Sequence, residues 1–176
     1  MFIKNTPITC NIFESFLEAD EKILKTISNL NYTEYQKQHS TSFLSDDGKL
    51  KELFIDLYKD WIVSFLKKIR KKKFKELQLL SIWCQKYQKE DRHGIHVHHE
   101  NTNYVSFIWY IDCSANSSNT IFYNPGHPHC SYFETEIKPE KNKIIFFDSF
   151  IPHEVIKNND NKRCIISGNF KIINNV

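Results

Sequence analysis

The stretch 93-HGIHVHHEN-101 carries four of the chain's eight histidines together with a glutamate. Imidazole and carboxylate suit divalent first-row metals such as Fe(II), Zn(II) or Ni(II). Side chains alternate between the two faces of a strand. An extended 94–100 therefore points His96, His98 and Glu100 one way, and Val97 and His99 the other. The spacing thus offers two or three metal-binding side chains on one face. His93, before the strand, and His99, on its other face, read as bystanders. An exposed histidine-rich loop has the same composition, and HxH alone is common. A third ligand from elsewhere in the chain is what separates a site from such a loop.

The segment 143-KIIFFDSFIPHEVIKNNDNKRCIISGNFKI-172 offers one. An apolar strand runs into a Pro-containing turn, and His153 opens the next strand. The turn 158-NNDNK-162 reads as a hairpin link. Pairing Lys157 with Arg163 sets His153 opposite Ser167, so that His153, Val155, Arg163, Ile165 and Ser167 share one face. Arginine presents a planar fork suited to a carboxylate. A metal at one end and a carboxylate receptor farther in would hold a small diacid that chelates the metal. A one-residue slip would send Arg163 to the opposite face, and a surface position is the commonest fate of any arginine.

The elements that must position these residues change character once along the chain. A short strand is expected over 8–13 and a helix over 14–30, with Phe16, Leu17, Ile23, Leu24 and Ile27 at helical spacing. Residues 31–46 read as polar loop. The span 46–74 is the longest helical signal, with an apolar stripe of Leu50, Leu53, Phe54, Leu57, Trp61, Phe65 and Ile69. Asp46 or Asp47 could cap it, and its lysine-rich end suits a helix C-terminus. Strands are expected over 77–88, 94–100, 104–112, 119–124, 143–148, 152–157 and 163–172, rich in β-branched and aromatic residues. Helices followed by a run of short strands predict an α+β fold, with helices outside an antiparallel barrel or two-sheet core.

Composition narrows the function. The 176 residues fit one domain, with 1–75 as mainly helical support and 76–176 as the β core. Fourteen Phe and eight Tyr favour a folded core over disorder. A net charge of +3 gives no general case for a nucleic-acid partner. The basic run 67-KKIRKKKFK-75 reads first as a solvated helix end. Five scattered cysteines without a CxxC pair read as buried, reduced thiols, with Cys164 directed away from Arg163. No stretch reads as a signal peptide or a membrane span, so a cytoplasmic protein is expected. Trp83, Trp109 and Phe146 read as core.

Over roughly residues 82–172 the sequence resembles the Fe(II)- and 2-oxoglutarate-dependent dioxygenases, in particular their small phage and bacterial members. The resemblance rests on 93-HGIHVH-98, 106-SFIWYID-112, IIFFDSFIPHEV and RCIISGN, in that order and with the His153-to-Arg163 spacing. It implies a double-stranded β-helix (jelly-roll) braced by N-terminal helices, and Fe(II), 2-oxoglutarate and O2 as cofactor and co-substrates. His96 would be the first ligand and His153 the distal histidine. Arg163 would bind the far carboxylate of 2-oxoglutarate, with Ser167 assisting, Tyr110 near it, and Tyr87 matching more loosely. The reaction implied is oxidation of a C–H bond of a small-molecule or peptide substrate, with succinate and CO2 as the other products.

The chain departs from the family's His-x-Asp…His triad, because His98 stands at the Asp position. Either His96, His98 and His153 bind the metal, or His98, Glu100 and His153 do. The turn 139-PEKNK-143 carries Asn142 where relatives often have glycine, and Asn tolerates the left-handed conformation. The loop 113–118 and the segment 125–136, with His127 and His129, are expected to border the mouth. A cupin-type metal enzyme would share the barrel but not the need for Arg163. A non-catalytic binding module, or one for nucleic acid resting on the run 67–75, is the remaining alternative.

Overall fold

The β-branched and aromatic second half folds as strands and the Leu/Lys-rich stretch before it as a helix. This is seen in a computed structural model that describes residues 11–44, 48–70, 74–125 and 134–174. The elements are β1 (Ile12–Phe16), α1 (Glu21–Ser28), β2 (Thr33–Tyr35), β3 (His39–Thr41), α2 (Lys49–Arg70), β4 (Glu76–Tyr87), β5 (His93–His96) and β6 (Tyr104–Cys113). Then follow β7 (Thr120–Tyr123), β8 (Glu134–Ile137), β9 (Lys143–Asp148), β10 (His153–Val155) and β11 (Arg163–Ile173). A seven-stranded sheet runs β1-β9-β6-β11-β4-β3-β2, and a four-stranded sheet runs β5-β10-β7-β8. Every neighbouring pair is antiparallel.

Period-two alternation gives the large sheet two working faces. Its outer face sends Cys84, Phe107, Trp109, Phe146 and Ile166 against the helices. Its inner face sends Tyr87, Ile108, Tyr110, Phe147 and Ile165 against Phe122 and Val155 of the small sheet. Helix α2 buries Leu50, Phe54, Tyr58, Ile62 and Leu66. That is an i, i+4 row, which drifts slowly around the helix and follows a twisted sheet. Of the expected stripe only Leu50 and Phe54 are fully buried; Leu53, Leu57, Trp61, Phe65 and Ile69 flank the row half-buried. The Phe54 ring stacks on Phe107 at 5.2 Å, and Tyr58 meets Trp109 edge-on at 5.2 Å. At its other end Arg70 pairs with Asp148 at 2.7 Å, so part of the basic run is structural. Residues 71–73 of that run, the capping candidates Asp46 and Asp47, Cys10, Cys130, His127 and His129 lie outside the described residues. Among the described residues no helix is long and apolar enough to cross a membrane.

Several expectations change. The helix expected from 14 begins only at Glu21, capped by Asp20, whose carboxylate accepts from the Lys22 amide at 2.8 Å. Residues 14–16 instead pair with β9 and cover an otherwise bare sheet edge. The expected loop 31–46 contains the hairpin β2–β3, which extends the large sheet beside β4. The polar strand β8, ETEI, had no apolar alternation to announce it.

The most consequential correction concerns β10 and β11, which do not form a hairpin. Strand β10 is flanked by β5 and β7, so both its edges are taken, while β11 lies between β4 and β6. Residues 156–162 cross from one sheet to the other. Asn158 anchors that crossing: its amide donates to Asp91 O at 2.7 Å, and its carbonyl accepts from the Glu90 amide at 2.7 Å. His153 and Arg163 therefore face a common interior from opposite sheets.

Two backbone details hold the frame. Asn142 adopts φ 68°, as the turn expectation required, and its amide donates to Tyr110 O at 2.8 Å. Gly168 sits where a Cβ would lie 2.5 Å from the Phe107 ring and 2.8 Å from Ser81 O. Only glycine lets β11 approach its neighbours this closely between Ser167 and Asn169.

Candidate functional site

Strand β5 ends at His96, His98 follows on a bend, and His153 opens β10 directly opposite His96. One ligand atom from each of these three histidines lies within 4.8 Å of the others. Their outer nitrogens are all tied to carbonyl oxygens. His96 Nδ1 meets Gly94 O at 2.8 Å, His153 Nδ1 meets Ile151 O at 3.0 Å, and His98 Nδ1 meets Asn169 Oδ1 at 2.6 Å. A carbonyl oxygen only accepts, so each Nδ1 carries the proton and each Nε2 keeps its lone pair. Asn169 is itself fixed: its Oδ1 accepts from Ser106 Oγ at 2.8 Å and its Nδ2 donates to Ser81 Oγ at 3.0 Å. The His98 amide donates to Ser149 O at 3.0 Å, which pins the bend.

Burial lowers the pKa of all three imidazoles, with repulsion from neighbouring imidazoles adding to it at His98 and His153. His98 falls to about 4 and His153 well below its ordinary value. At neutral pH they are uncharged, the form that ligates metals. Glu100 is exposed and stands outside the cluster. The expected strand 94–100 stops at His96, so the alternation that grouped Glu100 with the histidines does not reach it. His99 stacks on Tyr104 at 4.2 Å, away from the cluster. His93 is no bystander: its ring stacks on His96 with centroids 3.9 Å apart, and it lies 4.5 Å from His39.

The other end of the interior is cationic. Arg163 is 2% exposed. Its Nη1 donates to Ser118 O, and its Nη2 donates to Thr120 Oγ1 at 2.8 Å. Thr120 Oγ1 also bonds the Tyr110 hydroxyl at 2.8 Å. The rings of Tyr87 and Tyr110 each lie 5.3 Å from the guanidinium carbon. Burial pushes both phenols above their ordinary pKa, so both stay neutral donors. Among the described residues two buried side-chain polar atoms have no hydrogen-bond partner, Arg163 Nε and the Tyr87 hydroxyl. Both can donate, and among the described residues no carboxylate pairs with Arg163. A buried, incompletely bonded cation is costly unless an acceptor completes it. Ser167 is not in this group; its Oγ donates to Gln85 Oε1 at 3.2 Å, between the two ends.

Apolar side chains separate the ends. Phe122 stacks on His153 at 5.4 Å, Phe147 meets it edge-on at 4.8 Å, and Ile145, Val155 and Ile165 belong to the same buried cluster. The loop 113–118 packs at the arginine end through Ser118 O and does not border the histidines, because β6 ends beside Arg163. Cys164 turns outward, as expected, with its Sγ 3.5 Å from that of Cys84. Trp83 was expected in the core. It is 8% exposed, yet lines a cavity of about 260 Å³ beside the histidines, with its ring 5.6 Å from His98.

Sequence reasoning missed Asn169, Ser106 and Ser149 behind His98, Thr120 and Ser118 on Arg163, and His39 and Gln85 beside His93. Asn169 had a signal, since 163, 165, 167 and 169 alternate onto one face of β11. His39 had none, because the three-residue strand that carries it reads as polar loop.

No family model and no curated protein matches this chain. Solved structures do. An oxidoreductase of the 2OG-Fe(II) oxygenase family from Burkholderia pseudomallei superposes with a TM-score of 0.71 at 13% identity, over 85% of this chain and 76% of that one. HygX from Streptomyces hygroscopicus, with nickel and 2-oxoglutarate bound, gives 0.66 at 10% identity over 93% and 83%. A Pseudomonas putida prolyl-4-hydroxylase gives 0.60 at 12% identity over 93% of both chains. This chain therefore has the fold of the 2OG-Fe(II) oxygenases.

Proposed function

We propose that this protein is an Fe(II)- and 2-oxoglutarate-dependent oxygenase that hydroxylates a C–H bond of its substrate. The observation that carries the reading is the shared tautomer of His96, His98 and His153: three Nδ1 protons held outward, three Nε2 lone pairs left to converge. That donor set fits Fe(II), for which imidazole is a suitable ligand. The two-sheet architecture reads as a double-stranded β-helix, with the described helices α1 and α2 bracing its larger sheet.

The fit to 2-oxoglutarate rests on the unpartnered Arg163 Nε and Tyr87 hydroxyl, two buried donors awaiting an acceptor. Arg163 binds the far carboxylate, Tyr87 and Tyr110 wall it, and Thr120 orients the guanidinium. Phe122, Phe147 and Ile165 keep water from the space between. Three neutral imidazoles leave the full charge of a divalent cation, so a dianion is held without any protein carboxylate to oppose it. Once bound, iron, 2-oxoglutarate and O2 supply the oxidising power that the side chains of this chain lack.

Anaerobic titration with Fe(II) and 2-oxoglutarate tests the reading. A visible metal-to-ligand charge-transfer band is expected, and it should vanish in His153→Ala. Metal binding with no such band at any 2-oxoglutarate concentration would point instead to a metal enzyme of the same barrel with other chemistry.

A further inference from the structure

The cavity of about 260 Å³ beside the histidines opens between the β2–β3 hairpin, β4 and β5. Its walls are rings: Trp83 and Phe43 meet edge-on at 5.2 Å, and Tyr35 lies 5.4 Å from His39 and 5.8 Å from His93. Its other polar groups are amides and a hydroxyl. Gln85 is already spent on Ser167 and His39, Asn169 on His98 and Ser81, and Thr41 on the Phe43 amide. Among the described residues no Lys, Arg, Asp or Glu side chain lines it. Arg163 is not part of this lining. Phe43 and Val97, 54% and 44% exposed, put apolar surface at the rim.

We propose that this cavity is the substrate's seat, and that the group it admits is an uncharged, flat aromatic ring. The inference rests on the oxygenase reading for the word substrate, but the seat itself is a property of the walls. The volume sits at the lower end of small-molecule pockets and suits one or two rings. Aromatic walls favour a flat partner by edge and face contacts. In the metal-free protein a carboxylate or ammonium brought in would lose its hydration and meet no opposite charge among the described side chains of the lining. The ring belongs either to a free small molecule or to a residue of a longer chain; the recognising chemistry is the same.

Full-length protein freed of metal by chelation is titrated with benzyl alcohol, benzoate, benzylammonium and cyclohexylmethanol, reading tryptophan emission and amide chemical shifts. Removing the metal keeps benzoate from ligating it and separates this test from the oxygenase reading. Benzyl alcohol should bind about tenfold more tightly than either ion and measurably more tightly than cyclohexylmethanol, shifting the amides of Thr41, Trp83 and Val97. Phe43→Ala, at an exposed rim position, should weaken it severalfold without unfolding the protein; Trp83→Leu should weaken it further. p-Cresol and a capped tyrosine tripeptide then separate the two sources: the tighter binder names the free or the chain-borne ring. Benzoate or benzylammonium binding as tightly as benzyl alcohol, cyclohexylmethanol matching it, or no shift at these residues in folded protein overturns the proposal. A charge-transfer band once the same preparation is reloaded with Fe(II) and 2-oxoglutarate would leave the oxygenase reading intact after such a failure.

Discussion

The histidine end and the arginine end of the interior are both buried and polar, yet they are finished to different degrees. At the histidine end every outer nitrogen has its acceptor, and Asn169, Ser106 and Ser149 form a second row that fixes the acceptor for His98. At the arginine end two donors, Arg163 Nε and Tyr87 Oη, are buried without partners among the described residues. The histidine end is pre-set: tautomer and direction are decided before any metal arrives. The arginine end is left open by one acceptor. This difference suits the proposed reading, in which a resident metal benefits from rigid ligands and a co-substrate consumed at every turnover from a receptor that it completes itself.

At the histidine end, among changes that spare the three imidazoles themselves, the largest effect is expected from removing the fixed acceptor. Asn169→Ala frees His98 to take the wrong tautomer, and Fe(II) affinity should fall about 10- to 100-fold while Asn169→Asp, which keeps an acceptor, restores it. Equal affinity in the alanine variant would mean that the hydrogen bond to Asn169 does not set the ligand.

The two ends should also differ in their response to acid. In metal-free protein the folded pKa values of His39 and His98 are depressed to about 4 by burial, from an ordinary value near 6.5. The unfolded chain therefore binds protons first. The stability tied to these neutral imidazoles is complete above pH about 6.5, is lost as pH falls toward 4, and levels off below. Each contributes on the order of 1 kcal/mol per pH unit across that window. The arginine end adds nothing there, because burial drives its tyrosines upward and arginine stays charged. Urea unfolding from pH 8 to 4 checks this; a flat profile would contradict the neutral, buried state of the histidines. The smallest effect belongs to Glu100→Gln. With Glu100 exposed and outside the cluster, Fe(II) affinity should change by less than about twofold, and a larger loss would reopen the ligand set containing a carboxylate.

Much of this division was legible in the sequence. Alternation along β11 set Arg163 and Ile165 on one face and turned Cys164 to the other, as the fold has them, while Tyr110 was named through the resemblance alone. His96, His98 and His153 were named as one ligand option, and they are the three that the fold gathers. What failed was connectivity. A polar link between two β-rich segments looks the same whether it closes a hairpin or crosses between sheets, and only the neighbours of β10 decide. The hairpin expectation also set Ser167 opposite His153, whereas β11 pairs Ser167 with Trp83 and Ile108. Strands as short as β2, β3 and β8 carry too few residues to show a period, so His39 and the cavity wall it supports were invisible.

The most direct test of the two-ended interior is calorimetric titration of 2-oxoglutarate into Fe(II)-loaded wild-type and Arg163→Ala protein under anaerobic conditions, with Fe(II) affinity measured on the same samples. Losing charge-assisted hydrogen bonds at a buried receptor should weaken 2-oxoglutarate about 100-fold, with Fe(II) affinity within about threefold of wild type. Unchanged 2-oxoglutarate affinity, or a parallel loss of both ligands in folded protein, would contradict the account.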